Sequence, residues 1–417
     1  MNQFKTLLKN LGPGLLFASM AIGTSHLVLS TKAGATYGWA MIIPILLANL
    51  LKYPFFEFGI RYTNVTGRSL IEGYSRRGKP YMWVYAGITL VTTFTILAAL
   101  YVVTAGLLAN LFKISTVSVS VIALGLFAFI SAALIIGRYK LLETSLKFVV
   151  TILFVALLAT TALVLYKPPV EAVPGFSPPP IFDSVGILFL ISLIGWMPTA
   201  VEASSWISLW SLEKYKNRGE RPSLKEALQE FNSGYITTAL LAVFFLLIGF
   251  RTLYGTQTEL SGNAVTFADQ VVSLFTTHIG EWAYLFIAVS AFATMFSTCM
   301  TAHDAIARVS VDVLEYLRPD KKRFVKKWHY AAAVLVLTGV NFLVLTAFSA
   351  NMGDLVALAT FISFVLAPLV GYMNLKNVSS EDLPKKYHPG PGLRLLTYMG
   401  IVFLSFFAAY YLWMVLI

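Results

Sequence analysis

Two short stretches of polar and conformationally weak residues interrupt long apolar segments of this chain. The first is Gly23-Thr24-Ser25-His26, and the second runs from Gly195 to Thr199 and includes Met197-Pro198. Glycine and proline are poor helix formers, so each stretch predicts a break in a helix. A break frees backbone amides and carbonyls. The hydroxyl, imidazole and thioether groups beside them are candidate ligands for a small solute or ion.

Ionisable side chains inside the apolar segments form a second group of candidates. In a membrane, such a residue is costly to bury and is usually functional. We predict that these residues serve in coupling or in proton relay. They are Lys52, Glu202, His303 and Asp304.

These ionisable residues also have structural interpretations. Glu57 and Asp304 are each followed, four residues later, by an arginine, which is the spacing of an ion pair on one helix face. Glu202 could pair with Lys52 or could carry a proton, since burial without a cation disfavours its charged form. His26, within the first break, is a candidate ligand or proton carrier.

The elements that must position these residues are the apolar segments themselves. The chain of 417 residues is 57% hydrophobic and 12% charged, whereas a soluble domain has about 25% charged residues. Each segment is long enough to cross roughly 30 Å of hydrocarbon as a helix, and none alternates with the period of a membrane barrel strand. We predict an all-α protein of the lipid bilayer with about eleven transmembrane helices. The segments cover about 12–33, 39–61, 82–111, 116–136, 144–166, 184–212, 234–254, 281–303, 329–349, 354–375 and 393–417.

Basic residues predict the orientation, because cytoplasmic loops carry an excess of lysine and arginine. With the N-terminus in the cytoplasm, all but five of the 31 basic residues fall on cytoplasmic segments. An odd number of helices then places the C-terminus outside. We predict a multi-pass protein of the cell (inner) membrane that is a monomer. The five exceptions are Lys32, Lys52, Lys113, Lys167 and Arg251.

A proline-rich stretch divides the chain. Proline is excluded from helix interiors, so residues 167–182 are predicted to be an extracellular linker. Five apolar segments precede this linker and five follow it. We therefore predict two five-helix repeats, 1–166 and 183–376, with an extra eleventh helix in 377–417.

Several function classes lack support in the sequence. The single cysteine, Cys299, excludes an internal disulfide and a cysteine metal cluster. The net charge of +11 is spread over many short loops and forms no single basic patch, so nucleic acid is not predicted as a partner. We find no zinc motif, no pair of catalytic carboxylates and no nucleophile with a base. We therefore predict no catalytic residues and no cofactor, and a small solute or ion as the partner.

Three stretches resemble the Nramp family of metal transporters. They are Gly12-Pro13 through Gly38, Met197-Pro198, and the junction from Gly137 to Glu143. The order of the apolar segments is also similar along nearly the whole chain. The resemblance implies the inverted-repeat fold shared with LeuT and the amino acid–polyamine–organocation superfamily. It further implies alternating access about a site between the first and sixth helices, with a family role in metal-cation transport.

The sequence departs from the family at the positions that bind metal. The family's Asp-Pro-Gly-Asn is replaced by Gly23-Thr24-Ser25-His26, and a family histidine by Thr199, whereas Met197 is kept. Ser204 stands at a second histidine position, Leu97 and Leu100 at an acidic pair, and Thr360 near a glutamine. A divalent ion needs carboxylate or strong donor ligands, so we expect weak or absent transition-metal binding. Met197 and His26 are the remaining candidate metal ligands. The resemblance implies a substrate site of Gly23, Thr24, Ser25, His26, Met197, Thr199 and Thr360.

Two substrate classes stay open at this stage. The family implies a metal cation. Gly23-Thr24-Ser25 is instead similar to the run that amino-acid transporters of the superfamily carry at this place, and a helix that starts there points its positive end at the site. This pattern favours a small organic anion or an amino-acid-like solute, carried by symport. Hydroxyls in the eighth segment, at Thr294, Ser297 and Thr298, leave open a sodium site facing the first helix.

Overall fold

All regular structure in the described part of the chain is helical. The computed structural model describes residues 17–18, 20–137, 155, 157–256, 258–318, 327–348 and 351–416. A π-helical turn, Ser25–Ser30, precedes the first α-helix. The α-helices are α1 (Thr31–Tyr37), α2 (Ile42–Thr66), α3 (Leu70–Arg77), α4 (Lys79–Leu111), α5 (Val119–Ile136), α6 (Ser184–Gly195), α7 (Ala203–Arg218), α8 (Leu224–Leu253), α9 (Ala264–Ile279), α10 (Tyr284–Leu317), α11 (Lys327–Ala347), α12 (Met352–Val378) and α13 (Pro391–Leu416).

The prediction of an all-helical membrane protein is confirmed, but the count of eleven spans is not. Eight helices in the described ranges are long and apolar enough to cross a membrane. The first predicted span begins outside the described residues, and the fifth is described continuously only as the apolar helix Leu157–Tyr166. The sixth is divided into α6 and α7, which have 12 and 16 residues and are each shorter than a full span.

Helix ends differ from the prediction where charged residues extend a helix beyond the apolar segment. The charged stretch 214–232, between the apolar segments 184–212 and 234–254, is largely helical, because α7 continues to Arg218 and α8 begins at Leu224. Ser223 starts α8 with a capping box, in which its hydroxyl accepts from the Glu226 amide and the Glu226 carboxylate accepts from the Ser223 amide. Gly12-Pro13 and the junction after Gly137 lie outside the described residues.

Two glycines bring α1 and α8 into direct backbone contact. A Cβ atom on Gly34 would lie 2.0 Å from the Leu246 carbonyl oxygen, and one on Gly249 would lie 2.2 Å from the Thr31 carbonyl oxygen. Both distances are far below van der Waals contact, so neither helix tolerates a side chain there. The residues before α1, which include the first break, are therefore held against α8.

A buried amide joins four helices. The Asn374 amide of α12 donates to the Phe55 carbonyl at 2.8 Å and to the Ser204 hydroxyl at 2.9 Å, while the Tyr74 hydroxyl donates to its oxygen. These partners lie on α2, α7 and α3. Because the side chain is fully buried and its donors and acceptor are all bonded, it fixes the relative positions of these helices.

Asp382 joins helix ends outside the membrane spans. It lies between α12 and α13, and it pairs with Arg76 at 2.8 Å and with Arg77. Burial would raise the pKa of Asp382, but the hydrogen bond from Arg76 and the charges of Arg77 and Arg76 outweigh burial and lower it. The carboxylate therefore stabilises the fold above the pKa of the unfolded chain, and this contribution is lost as the pH falls through the lowered value.

We predict that Gly34→Ala destabilises the protein, whereas Gly87→Ala does not. The added methyl at residue 34 collides with the backbone of α8, and such overpacking costs about 1–3 kcal/mol. Gly87 lies in α4 with no atom within 4 Å of its Cβ position, so alanine there should leave stability unchanged or raise it slightly. Thermal unfolding in detergent, followed by tryptophan fluorescence, measures both. Equal unfolding midpoints for the two variants would contradict the close contact.

Candidate functional site

The first predicted break is present at Gly23. Residues before it are helical, and the Ile22 amide still donates to the Ala18 carbonyl. The Gly23 amide instead donates to Ala21 at 2.9 Å, which is not the helical partner four residues earlier. The helix resumes as the π-helical turn from Ser25. Gly23 therefore sits between two helical parts, as the sequence predicts.

The second predicted break separates α6 from α7. The helix α6 ends at Gly195, and Trp196 through Glu202 form turns before α7 begins at Ala203. The Met197–Pro198 peptide bond lies within this break and is cis. The carbonyls at the end of α6 are consequently available to partners from elsewhere in the protein.

The two breaks share a small cavity of about 30 Å³. By volume it accommodates about two water-sized molecules. In the part of the chain that the structure describes, no acidic side chain lines it. Its polar lining residues are Thr24, Ser25, Thr199 and Thr298, and the others are Met20, Ala21, Gly23, Ile96, Leu100, Trp196, Ala200, Trp206 and Ala302.

The Thr24 hydroxyl is the polar group of this lining that most needs a ligand. Thr24 is 1% exposed, and its hydroxyl has no hydrogen-bond partner among the described residues. Leaving a buried hydroxyl without a partner costs about 1–3 kcal/mol. The neighbouring Ser25 hydroxyl is already engaged, since it lies 2.8 Å from His26 Nδ1 and 3.2 Å from the Ala21 carbonyl oxygen. Thr24 therefore offers a free donor and acceptor to whatever enters the cavity.

Three of the predicted substrate residues do not line the cavity. His26 turns towards α8, where its Nε2 donates to the Thr238 carbonyl at 2.9 Å. Because a carbonyl only accepts, Nε2 carries the proton and Nδ1 accepts from Ser25 in the neutral ring. Thr360 donates to the Val356 and Ala357 carbonyls of its own helix. Met197 is fully buried within the second break and does not line the cavity. Of the predicted substrate residues, the cavity therefore brings together Gly23, Thr24, Ser25 and Thr199.

Lys52 of α2 binds the second break through its ammonium group. Its Nζ donates to the carbonyls of Ile194 at 3.0 Å, Gly195 at 2.9 Å and Thr199 at 3.0 Å. Its side chain is 0% exposed. No ion pair within 4.0 Å joins it to Glu202 among the described residues, so the direct pairing considered from the sequence does not occur in this conformation.

Glu202 is connected to the cavity wall by a short chain of hydrogen bonds. The Trp196 indole donates to the Ser363 hydroxyl at 3.0 Å, and that hydroxyl donates to Glu202 Oε1 at 3.0 Å. The second carboxylate oxygen, Oε2, is buried and has no bond to another described residue. Trp196 lines the cavity, so one wall of the cavity is linked to a carboxyl group that is 3% exposed.

His303 and Asp304 lie apart from the cavity and join helices. His303 Nδ1 lies 2.9 Å from the Tyr101 hydroxyl of α4, and Nε2 donates to the Val334 carbonyl of α11 at 3.2 Å. Asp304 accepts from Arg308 at 2.9 Å, which is the ion pair that the four-residue spacing indicates. Glu57 and Arg61 form the other predicted pair.

Some residues of the site were missed from the sequence. Trp196 stood inside the second break, so its position was a usable signal, but its link to Ser363 depends on the approach of α12 to α6. Ile96 and Ala302 lie in uninterrupted apolar segments and gave no signal. The eighth-segment hydroxyl Thr298 does face the first break, because it lies 3.4 Å from the Ile22 carbonyl oxygen. In the described ranges, no group of three or more His, Cys, Asp or Glu side chains could hold a metal ion.

Comparison with known proteins identifies the family of this chain. The family model for natural resistance-associated macrophage protein-like (Nramp) proteins matches residues 14–414. The uncharacterized protein PM0681 of Pasteurella multocida (strain Pm70) is 31% identical over 402 residues, which are 95% of this chain and 90% of that protein.

Solved structures show the fold. A manganese transporter of Eremococcus coleocola aligns with a TM-score of 0.72 at 13% identity, over 97% of this chain and 86% of its own. MhsT in complex with L-phenylalanine aligns with a TM-score of 0.62 at 15% identity, over 97% and 98% of the two chains. Both are transporters, and the predicted LeuT-like fold is confirmed. The model match over nearly the whole length and the 31% identical relative establish that this chain belongs to the Nramp family of transporters.

Proposed function

We propose that this transporter works by alternating access as a secondary carrier, and that its central site binds a small solute with an anionic group rather than a transition metal. The observation that carries this proposal is the cavity lining, which among the described residues offers hydroxyl groups and no carboxylate at the meeting point of the two breaks. Gly23 and Thr199 stand there in place of the family's Asp and His. A divalent ion that leaves water needs negative or strongly donating ligands, and hydroxyls compensate it poorly.

The charge around the cavity supports the same choice. The Lys52 ammonium bonds to the Thr199 carbonyl, while the Thr199 side chain lines the cavity. An ammonium group therefore lies directly behind the cavity wall, where positive charge disfavours a cation and favours an anion. The helical part that starts at Ser25 adds the positive end of its dipole. The Thr24 hydroxyl is free to donate to a carboxylate.

The cavity size supports a small solute whose entry needs movement. About 30 Å³ is less than the volume of an amino acid or another organic anion. Large side chains, Leu100, Trp196 and Trp206, form much of the wall. Rearrangement of these side chains or of the helix halves at the breaks would enlarge the space, as alternating access requires.

We predict that manganese binds no more tightly than the millimolar range. Calorimetric titration of the purified protein measures this, with Met197→Ala as the comparison, and both proteins should give the same weak heats. Micromolar binding that Met197→Ala abolishes would contradict the proposal.

The triple variant Gly23→Asp, Thr199→His, Thr298→Ala should gain manganese binding because it restores charged and imidazole ligands. Thr298→Ala makes room, since a Cβ on Gly23 would lie 3.1 Å from Thr298 Cγ2, and Thr298→Ala alone is the control.

Thr24→Val should weaken solute binding about tenfold, because loss of one hydrogen bond to a charged group costs about 1.5 kcal/mol. Thermal shifts with a panel of small carboxylates and amino acids would first identify a stabilising compound. Thr31→Val is the matched control, since the Thr31 hydroxyl is also buried without a partner in the described ranges but does not line the cavity. Equal affinities in both variants, or stabilisation by metals and by no carboxylate, would argue against the proposed site.

We further propose that Glu202 couples transport to protons. Its buried, partly unbonded carboxyl group and the Trp196–Ser363 link to the cavity support this role. Glu202→Gln should remain folded but lose the pH dependence of uptake, whereas Glu202→Asp, which keeps a carboxyl group, should retain it. Uptake into proteoliposomes over a range of pH measures both variants. An unchanged pH profile in Glu202→Gln would show that another residue couples transport to protons. The coupling roles of His303 and Asp304 stay predictions.

The remaining proposals concern the membrane setting. The distribution of basic residues supports a cytoplasmic N-terminus and an external C-terminus in the cell membrane. Two repeats, 1–166 and 183–376, joined by the proline-rich linker 167–182, would place one broken helix at a matching position of each. We propose that the monomer is the transporting unit.

A further inference from the structure

Three backbone carbonyls converge on one point at the second break. The oxygens of Ile194, Gly195 and Thr199 lie 3.0, 2.9 and 3.0 Å from Lys52 Nζ. The lysine side chain is fully buried, and it reaches this point from α2. Two of the carbonyls, those of Ile194 and Gly195, come from the end of α6, and the third, that of Thr199, comes from within the break.

The chemistry of this point favours a cation. The last carbonyls of a helix have no intrahelical partner, and they carry the negative end of the helix dipole. In an apolar interior, such oxygens must be bonded to something. A lysine ammonium has three donors and no acceptor, and the three carbonyls use all of them. Carbonyl oxygens in this arrangement are also the ligands that channels and transporters offer to monovalent ions.

We infer that the carbonyls of Ile194, Gly195 and Thr199 form a binding site for a monovalent cation, and that the ammonium of Lys52 is the cation that occupies it. The ligand class is a monovalent cation of about the size of ammonium or potassium. Because the cation is part of the chain, the site needs no dissolved ion. This inference does not depend on which solute the central cavity binds.

Two other roles for Lys52 agree less well with the geometry. An ion pair with Glu202 would use at least one donor, but all three donors face carbonyls, and no such pair occurs within the described residues. Direct binding of a solute anion would also need a free donor. The ammonium therefore acts on the cavity through the backbone of Thr199, whose side chain lines it.

The position of the site makes its occupant part of the transport machinery. The ammonium bonds simultaneously to the end of α6 and to Thr199 within the break, so it holds the break in one arrangement against the end of α6. Removal of the cation would leave the Gly195 and Thr199 carbonyls without a partner among the described residues and would free Thr199, whereas the Ile194 carbonyl would keep the Met197 amide at 3.2 Å. Occupancy of the site and the shape of the central cavity are thus linked by one residue.

The test replaces the tethered cation with a dissolved one. Lys52→Met retains the side-chain stem and removes only the ammonium, so it leaves a space of the right size for a small cation. Its unfolding temperature should fall, and ammonium or potassium chloride should raise it again in a saturable way. Choline chloride, which is too large for the site, controls for ionic strength. Lys52→Ala removes three methylenes as well, and propylammonium should stabilise it better than ammonium does.

Two proteins serve as controls. Wild type and Lys79→Met, a variant at an exposed lysine, should show no saturable response to any of these cations. The inference is overturned if Lys52→Met is as stable as wild type, or if ammonium, potassium and choline affect it equally. It is also overturned if neither Lys52 variant can be recovered folded in any of the small cations, because an occupied site should restore the fold.

Discussion

The structure depends on how backbone groups are satisfied where a helix stops inside the membrane. A continuous helix bonds its own amides and carbonyls, whereas a break exposes them to a medium that offers no water. This chain satisfies the end of α6 with the Lys52 ammonium and holds the helix beyond the first break through His26 and the Thr238 carbonyl. At the second break the side chain comes from the neighbouring helix α2, and at the first break the broken helix supplies the side chain and α8 supplies a backbone carbonyl. The breaks can therefore exist only while α2 and α8 stay packed against them.

Fold and site chemistry have diverged to different degrees in this protein. At 13% identity its backbone still aligns with a manganese transporter at a TM-score of 0.72. The architecture persists because many apolar side chains of similar volume can fill the same helix contacts. We propose that the central cavity is less tolerant, since a carboxylate replaced by Gly23 would change the charge that the cavity can accept. On this proposal, membership of a metal-transporter family fixes the route across the membrane more firmly than it fixes the solute.

Most spans, both breaks and the ion pairs within single helices could be predicted from the sequence. These features depend on local patterns: apolar length for the spans, Gly23 and Pro198 for the breaks, and a four-residue spacing for Asp304 with Arg308. The three carbonyls around Lys52 and the turn of His26 away from the cavity could not be predicted from the sequence. Those contacts join residues more than a hundred positions apart, and side-chain direction there is decided by helix packing that no local pattern encodes.

The glycine contacts between α1 and α8 have a mechanical consequence. At Gly34 and Gly249 the two backbones touch so closely that neither helix can slide or rotate against the other by the width of a methyl group without a collision. The helices α1 and α8 therefore move together as one rigid unit. The first helix can bend only where its backbone is not in close contact with α8, and the non-helical link at Ile22-Gly23 is the nearest such point. Movement about this point would carry Phe17 away from Phe231 and Tyr235 of α8, while the remainder of the first helix stays fixed to α8.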